Sequence, residues 1–587
     1  MKKLFPLAAI LALLIPSCSG DRTEARWLGG PDPSIVLYTY DKEQGLQPAD
    51  TLIRGLGVDA LVDAGISSGG EEYIPVKAGN RKLYVRKTLL AASLEEAVAE
   101  KIIYVQTAAS LIDDPETSHI RTFLRKGSEL QVMDYDSLQE DGTVHRYKVS
   151  DGKHQGWIFG KYCVTEKAEA KEVYDRYAEA HAAVRNPFKG GAASGCEFRP
   201  CAKPVFPDRK LPSPCNGFYI SINPALLKNI DAYIALADST RINAFVIDIK
   251  DNECPGYKAE AMLKHSPSNY AHAGSAKEEL YKEVVRKLHE KGYYVIGRIT
   301  CFKDSYYAKD HPESCISERS SGQPFYHNKS YWPSAYCRDV WQFNVELAKE
   351  SVRKMGFDEI NFDYVRFPDK MISIDDRMNY HNAYGESKVQ AIQNFVRYAC
   401  DELHELGVYV SVDVFGETAN PGYTTAYGQY WPALSTVADI ICGMPYPDHF
   451  SKDYYGISKP WNHPYELLRA WGKRVQDRQA VTSSPAIVRT WVQAYHVMRF
   501  VDPAGLDNDS NFMERQIRAL YDSGLTGGFQ TWIGSCDINV YRRQREAYAL
   551  DYPSLPAIGE GSGFVTGRPA PAAETKPAPA DTSATAI

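Results

Sequence analysis

The sequence predicts an α/β protein whose main domain is a (β/α)8 barrel of the TIM type, with two small all-β modules in front of it. Three observations support this. Residues 215–550 alternate amphipathic helices with eight short apolar runs. Several of these helices end in glycine directly before the next run, which favours parallel strands joined by helical crossovers. The chain before residue 166 instead shows short alternating runs separated by Gly, Asp and Ser, a pattern typical of antiparallel β structure.

The first 17 residues predict an export signal. Two lysines precede an apolar run from Leu4 to Ile15, which is too short for a membrane-spanning helix of roughly 20 residues. Cys18 follows "LLIPS", and this placement resembles a bacterial lipobox. The resemblance implies that Cys18 is lipidated and that the protein is a lipid-anchored membrane protein of the cell envelope, on its periplasmic or surface side. An ordinary cleaved signal is the alternative.

Residues 101–165 predict a small all-β barrel. The segment resembles the bacterial SH3-type domain, through "FLRKGSELQVM" and the closing strand "GWIFGKYCV". Residues 35–95 look like a weaker copy, with "IPVKAGNRKLYVRKTLL" in the closing position. Modules of that family bind cell-wall material or serve as spacers. The resemblance therefore leaves two roles open: contact with peptidoglycan, or separation of the main domain from an anchor.

Residues 166–214 predict a helical, charged stretch followed by a linker that contains Pro and Cys. Outside the cytoplasm, Cys196, Cys201 and Cys215 are compatible with one disulfide, whereas a zinc site lacks a CxxC pair or clustered histidines. Residues 560–587 are rich in Pro, Ala and Thr and predict a disordered tail. The formal net charge of −7 gives no support for nucleic-acid binding.

The eight apolar runs of the main domain are interpreted as parallel strands buried on both faces. Gly292, Gly356, Gly407 and Gly524 each fit the position just after a helix, where positive φ costs glycine little. An open doubly wound sheet usually carries a Gly-rich turn after its first strand, and "SINPALLKN" is not one. The predicted strands are 217–222, 243–250, 293–300, 359–367, 408–415, 438–446, 486–495 and 527–533.

Charged and aromatic side chains gather at the carboxyl ends of these strands. In (β/α)8 barrels that end carries the active site, and burying charge is costly unless the charge is paired or used. The sequence therefore predicts a functional site there. The residues at these ends are Asp248, Lys250, Arg298, Asp363, Asp413, Tyr446 and Trp532.

The same stretches carry a family resemblance. "VIDIKD", "GRITCFKD", "EINFDYVRFPD", "SVDVFGET", "MPYPDHF" and "RTWVQAY" resemble the successive signatures of a bacterial family labelled "putative glycosyl hydrolase". That family is a (β/α)8 domain distantly similar to the α-amylase clan, and the resemblance covers roughly 215–550. It implies a glycoside hydrolase that acts on a poly- or oligosaccharide, such as a cell-wall or α-linked glycan, without a cofactor or metal.

Glycoside hydrolysis typically uses two carboxyl groups. Asp363 is the predicted nucleophile, because strand 4 supplies it in the resembling clan and Arg366 nearby would keep it ionised. Asp413 is the first choice for the acid/base, and Glu417 matches the strand 5 Glu of the clan. The predicted substrate-binding residues are Asp248, Lys250, Arg298, Arg366, Tyr446, His449 and Trp532. Trp332 and Tyr336 fit either a lid or a satellite core.

Two other classes of function stay open at this point. Asp248, Asp363 and Asp413 at one barrel mouth also suit Mg²⁺ or Ca²⁺, with Lys250 as a base in metal-assisted chemistry. Alternatively, the cleft holds a glycan without catalysis while the β modules grip the wall. Metal dependence separates the first of these from a glycosidase, and binding without turnover identifies the second.

Overall fold

The computed structural model describes residues 23–79, 81–98, 101–182, 184, 193–252, 254–274, 277–420 and 423–568. They form two compact units, one up to Glu172 and one from Val173. The predicted signal, Cys18 and the chain after residue 568 lie outside the described residues. Within the described part of the chain, no helix is long and apolar enough to cross a membrane.

The first unit contains two antiparallel β-sheets, as the sequence predicts. The first sheet already begins at Thr23, because Thr23–Leu28 pairs with Gly57–Leu61 and Leu90–Ala91. Each sheet encloses its own apolar core. The other strands of the first sheet are Ser34–Asp41, Gly45–Ile53, Ile66–Ser68, Glu71–Ala78 and Arg81–Arg86; those of the second are Ile102–Val105, Ala109–Ile112, Ile120–Leu124, Glu129–Tyr135, Arg146–Ser150, Gln155–Phe159 and Cys163–Val164.

The second unit is built on a parallel barrel, and all eight predicted runs supply its strands. Each strand pairs in parallel with its neighbours in chain order, and β8 returns to β1. The seventh run is broken at Arg489: its first piece pairs with β6 and its second with β8, so the barrel is nearly closed. The strands are β1 Cys215–Ile220, β2 Ala244–Asp251, β3 Tyr294–Thr300, β4 Glu359–Asp363, β5 Tyr409–Phe415, β6 Ile440–Met444, β7 Ile487–Val488 with Thr490–Gln493, and β8 Gly528–Trp532.

Helices surround the barrel, and the four predicted glycines lie where helices end. Gly292, Gly356, Gly407 and Gly524 have φ between 67° and 85°, the left-handed conformation expected there. Two short antiparallel pairings lie in the loops. Ser317–Glu318 pairs with Met378–Asn379 of a later loop, and Tyr326–His327 forms a hairpin with Ser330–Tyr331. The helices of this unit are Ala178–Ala182, Pro224–Lys228, Ile230–Ala237, Glu260–His265, Pro267–His272, Glu278–Glu290, Ser305–Asp310, Arg338–Met355, Lys388–His404, Trp431–Val437, Pro464–Ala480, Ser510–Asp522, Ile538–Arg543 and Arg545–Ala549.

The amino-terminal end of the barrel repeats one arrangement twice. "LHEKGYYV" and "LHELGVYV" each join a helix to the following strand. In the first, Asp358 accepts from the backbone N–H of Val295 at 2.9 Å and pairs with His289 at 2.8 Å. In the second, Asp439 makes the equivalent contacts, with Val410 at 2.9 Å and His404 at 2.8 Å. Each Asp therefore ties a helix end to the start of a strand.

The predicted linker is part of the barrel unit. Lys203 Nζ donates to the carbonyl oxygens of Ser435, Thr436 and Ala438 at 3.2, 2.9 and 2.6 Å, where the helix Trp431–Val437 ends. Phe206 packs against Tyr409 with ring centroids 4.8 Å apart. Cys201 and Cys215 are free thiols, so the one disulfide that the sequence allows among Cys196, Cys201 and Cys215 does not join these two.

The chain after the last helix also packs on the barrel. The hydroxyl of Thr566 and the N–H of Gly567 both donate to Glu514. Arg469 donates to the carbonyl oxygens of Ile558 and Gly559. The predicted tail therefore begins too early at residue 560. The buried Glu514 binds residues 566 and 567, and Arg469 binds residues 558 and 559.

We predict that the unit from residue 173 onward folds alone and that Lys203 stabilises it. A chain without residues 23–172 should melt in one cooperative transition. Within it, Lys203→Met should lower the free energy of unfolding by about 2 kcal/mol, because three carbonyl groups lose their donor. The exposed Lys210→Met is the control and should change stability by less than about 0.5 kcal/mol. Equal effects of the two substitutions in urea unfolding would contradict this role of Lys203.

Candidate active site

A cavity of about 180 Å³ lies at the carboxyl ends of the barrel strands. Seven predicted site residues line it: Arg298, Asp363, Arg366, Asp413, Tyr446, His449 and Trp532. The structure does not bring Asp248, Lys250 or Glu417 to its wall. The strand ends thus gather most of the predicted residues, as expected for this fold.

Arg298 on β3 lies at the centre of the acidic groups. Its Nη1 donates to Asp248 at 2.7 Å and lies 3.4 Å from Asp251, and its Nη2 donates to Asp363 at 2.5 Å. Its Nε lies 3.9 Å from Asp413 Oδ2, too far for a hydrogen bond. The Arg298 side chain is only 2% exposed, and the neighbouring carboxylates compensate its buried positive charge.

Asp363 is the last residue of β4. The strand ends here, before the predicted end at Phe367, because Tyr364 has φ of 51°. This turn brings the N–H of Tyr364 to 2.6 Å from Asp363 Oδ1, while Oδ2 accepts from Arg298. Both oxygens act as acceptors, which is the bonding of an ionised carboxylate. The side chain keeps 8% exposure toward the cavity.

Asp413 lies on the neighbouring β5 in a different environment. Its Oδ1 accepts from the amide of Asn361 at 2.9 Å and from the indole of Trp491 at 2.8 Å. Its Oδ2 is buried and has no hydrogen-bond partner. Burial and the charge of Asp363 raise the pKa of Asp413 well above its usual range, although Arg298 opposes the shift.

Asp248 and Lys250 on β2 lie behind the cavity wall. Asp248 accepts from Tyr219 at 2.5 Å as well as from Arg298, and burial raises its pKa to about 7 against the opposing effect of Arg298. Lys250 is fully buried and pairs with Asp304 at 2.8 Å. Asp304 in turn caps the helix Ser305–Asp310. Lys250 therefore links two elements of the unit and does not reach the cavity.

Arg366 lines the cavity but does not contact Asp363. Its guanidinium donates to the carbonyl oxygen of Phe367 at 3.1 Å and pairs with Asp369 at 3.5 Å. It also lies over the ring of Phe415, 4.3 Å from the centroid. The expected ion pair of Asp363 with Arg366 is thus wrong. Arg298 takes that place because β3 is the direct neighbour of β4.

Glu417 follows β5 on the loop and is half-buried. Its closest hydrogen-bond partner is the hydroxyl of Tyr427 at 3.5 Å. Burial raises its pKa, and the charge of Asp369 adds to the shift while Tyr427 opposes it. Glu417 does not line the cavity, although it lies near enough to Asp369 for the two charges to interact.

Aromatic rings form much of the remaining wall. Trp532 packs on Tyr219, with centroids 4.7 Å apart, and lies under the guanidinium of Arg298 at 5.2 Å. Tyr446 is buried and meets the ring of His449 edge to face at 5.2 Å. Half of the His449 side chain is exposed. These rings line the cavity with apolar surface beside the polar groups of His449 and Arg366.

Trp332 and Tyr336 belong to a core rather than a lid. Trp332 is fully buried, and its indole donates to the carbonyl oxygen of His327 at 2.9 Å. Tyr336 is also buried and packs on Phe367, with centroids 4.8 Å apart. Their large buried areas fix the loop that follows β3.

Six further residues line the cavity that the sequence interpretation missed: Asp251, Asn252, Tyr364, Phe415, Met444 and Trp491. Five of them lie at or just beyond the end of a strand, so the position itself is the signal. Trp491 lies within β7, and its indole donates across the barrel interior to Asp413 on β5. No pattern in the sequence indicates that contact.

Two clusters of side chains in the barrel unit contain the residue types that bind metal ions. Among the described residues, Cys400, His404 and Asp439 have ligand atoms close enough to share an ion. Their His–Asp pair, however, repeats at His289 and Asp358, where it ties a helix to a strand. At the mouth, the space between the three aspartates is filled by Arg298, which a cation would have to displace.

Comparison with known proteins shows which family the chain matches. The model of a family described as "Putative glycosyl hydrolase domain" matches residues 217–537. Among curated proteins, none matches this chain significantly.

Several solved structures are similar. A hypothetical protein from Ruminiclostridium thermocellum is 31% identical, with 34% of this chain and 97% of that chain covered and a TM-score of 0.28. The PgaB (BpsB) glycoside hydrolase domain from Bordetella bronchiseptica is 13% identical, with coverage of 58% and 99% and a TM-score of 0.41. The maltogenic α-amylase AmyB from Thermotoga neapolitana is 11% identical, with coverage of 59% and 78% and a TM-score of 0.36.

We predict that Asp413→Asn stabilises the protein increasingly as the pH rises. The raised pKa of Asp413 means that the folded state binds a proton that the unfolded state releases, so the stability from this group is present at acid pH and lost toward its folded pKa. Asparagine cannot ionise and removes that loss. The melting temperature of the variant minus that of the wild type should therefore increase from about pH 5 to about pH 8.

The exposed Asp453→Asn is the matched control, and its difference from the wild type should stay flat over the same range. A flat difference for Asp413→Asn as well would show that the Asp413 carboxyl titrates alike in both states.

Proposed function

The chain belongs to the family described as "Putative glycosyl hydrolase domain", and from that membership we propose that it hydrolyses a glycosidic bond with Asp363 and Asp413 as its two carboxyl groups. One observation carries the choice of residues. The two side chains line the same cavity from adjacent strands, yet one has the bonding of an ionised carboxylate and the other has a raised pKa. Opposed environments of this kind separate the roles of paired acids.

Asp363 is suited to attack or to activate water. Its oxygens accept from Arg298 and from the N–H of Tyr364, so its charge is held in place at the cavity wall. A negative charge at this point stabilises the positive charge that develops on a sugar ring as the bond breaks. Whether Asp363 bonds to the sugar or draws a proton from water, the same ionised form is required.

Asp413 is suited to protonate the leaving oxygen. Its Oδ1 already accepts two N–H groups, so Oδ2 is the oxygen at which it can hold a proton. A protonated carboxyl near neutral pH is what a general acid needs. After the proton has left, the negative Asp413 lies 3.9 Å from Arg298 Nε, whose charge then compensates it. The same guanidinium thus serves both acids.

The substrate in this proposal is a poly- or oligosaccharide, such as a cell-wall or α-linked glycan. The rings of Trp532 and Tyr446 at the cavity fit the apolar faces of a sugar, and His449 and Arg366 fit its hydroxyl groups. The proposal extends to an envelope location through a lipid on Cys18, and to contact of SH3-like modules at 35–95 and 101–165 with peptidoglycan. The support for these last points comes from sequence resemblance.

We predict that Asp363→Asn abolishes turnover. The full chain is screened against soluble α- and β-glycans and peptidoglycan fragments by reducing-end release. On any substrate that the wild type cleaves, Asp363→Asn and Asp413→Asn should each lose about a hundredfold or more in kcat. Glu417→Gln is the matched carboxamide control outside the cavity and should keep most of the activity.

The remaining outcomes separate the alternatives. Loss of activity in Glu417→Gln with retention in Asp413→Asn would move the acid role to Glu417. Loss of wild-type activity on EDTA treatment would support a metal site instead. Glycan binding without any turnover would support a non-catalytic role.

For the anchor, we predict that Cys18→Ala releases the protein from the membrane fraction and blocks its labelling by a fatty-acid analogue. The reason is that Cys18 occupies the position that the lipobox resemblance assigns to the lipid. Cys163→Ala serves as the control and should remain in the membrane fraction. Unchanged membrane retention of Cys18→Ala would contradict the anchor.

A further inference from the structure

A short hairpin in the loop after β3 carries two exposed tyrosines. Tyr326 and Tyr331 lie opposite each other on its two strands, with ring centroids 5.0 Å apart and exposures of 57% and 36%. The two residues of its turn, Asn328 and Lys329, have φ of 50° and 62°, as in a tight two-residue hairpin. Such a turn keeps the two rings side by side.

The hairpin lies on the same face of the barrel as the cavity, because loops that follow strands emerge at the carboxyl ends. Trp332, the residue that follows the hairpin, connects it to the cavity wall. The carbonyl oxygen of His327 accepts from Trp332, and the ring of Trp332 lies 6.1 Å from that of Tyr364 and 5.0 Å from the guanidinium of Arg366. Tyr364 and Arg366 line the cavity.

A second set of contacts fixes the hairpin to the loop after β4. Asn328 donates to the carboxylate of Asp369 at 2.8 Å, and His327 donates to the carbonyl oxygen of the same residue at 2.9 Å. Asp369 pairs with Arg366. The tyrosine pair is thus held in a set position, so little entropy is lost when a ligand binds to it.

We propose that Tyr326 and Tyr331 form a second glycan-binding site, which holds sugar rings of the substrate chain beyond the cavity. This rests on the proposed function and narrows its substrate to a chain of several sugars. A cavity of about 180 Å³ is smaller than the roughly 300–1,000 Å³ that encloses a drug-sized ligand, so most of an oligosaccharide must lie outside it.

The chemistry of the patch fits a sugar better than a protein partner. Two rings with exposed faces and phenol hydroxyls offer apolar contact and hydrogen bonding at the same place. A protein partner typically covers about 800 Å² on each side, far more than two side chains present. The hairpin that carries the rings is also linked through Trp332 to Tyr364 and Arg366, which line the cavity.

The test measures binding and turnover separately. Binding of the full chain to soluble starch, glycol chitin and carboxymethylcellulose is measured by affinity gel electrophoresis, in an Asp363→Asn background that prevents cleavage. The test variant is Tyr326→Thr with Tyr331→Thr, which removes both rings and keeps residues that suit a strand. One control is Tyr326→Phe with Tyr331→Phe, which keeps both rings. The other is Val205→Ala, which removes exposed apolar surface from the predicted linker, away from the hairpin in sequence.

We expect at least one of the three polysaccharides to retard the parent protein, and the Thr variant to bind it about tenfold more weakly, with unchanged binding by both controls. Without the Asp363→Asn change, the Thr variant should lose a similar factor in kcat/KM on that polymer and none on a chromogenic monosaccharide glycoside.

Equal retardation of the Thr variant and its parent would overturn the proposal, and so would a parent that none of the three polysaccharides retards. Failure of the proposed function is distinguishable. If Asp363→Asn still cleaves a glycan while the Thr variant loses binding, the catalytic assignment is wrong and the second site stands.

Discussion

The site at the barrel mouth depends on one guanidinium. Arg298 is almost fully buried, and it compensates Asp248, Asp251 and Asp363 while it approaches Asp413. Four carboxyl groups this close could not all be ionised in a buried place without a cation among them. Because the cation is an arginine, its planar fork fixes the direction of each acid as well as the charge balance. Removing it would leave several buried charges uncompensated, which is far more costly than losing a surface ion pair.

A second buried arginine organises the opposite half of the barrel interior. Arg489 binds both oxygens of Glu359 at 2.8 and 3.1 Å, and Tyr294 donates to the same carboxylate. Both charged side chains are completely buried. Arg489 also lies at the break in β7, where the chain passes from pairing with β6 to pairing with β8. The barrel unit therefore buries two clusters of paired charge, one around Arg298 and one around Arg489, together with a large apolar core.

The two catalytic candidates differ because of what surrounds them on adjacent strands. At the end of β4, the left-handed turn at Tyr364 supplies an N–H to Asp363 and leaves part of its side chain exposed. Within β5, Asp413 is deeper and meets only neutral donors at Oδ1. The two carboxyl groups thus differ in depth and in hydrogen bonding, and burial raises the pKa of the deeper one, Asp413. This separation is the physical basis of the proposed hydrolysis, and the hairpin tyrosines extend the same mouth outward.

The architecture of the barrel follows from the pattern of the sequence. Eight apolar runs after glycine-terminated helices are enough to specify a parallel barrel, because each helix–strand unit must bury its apolar face against the next. Strand order then places Arg298, Asp363 and Asp413 at one end, since the side of a strand end is fixed once the chain direction is known. Only the tertiary structure decided which partner each charge takes. Arg366 is three residues from Asp363 in sequence but turns away to Asp369, while Arg298, on the next strand, forms the ion pair. Lys250 and Glu417 do not line the cavity, and the sequence could not show this. The position of a charged side chain depends on distances across strands and loops, and a linear pattern does not contain those distances.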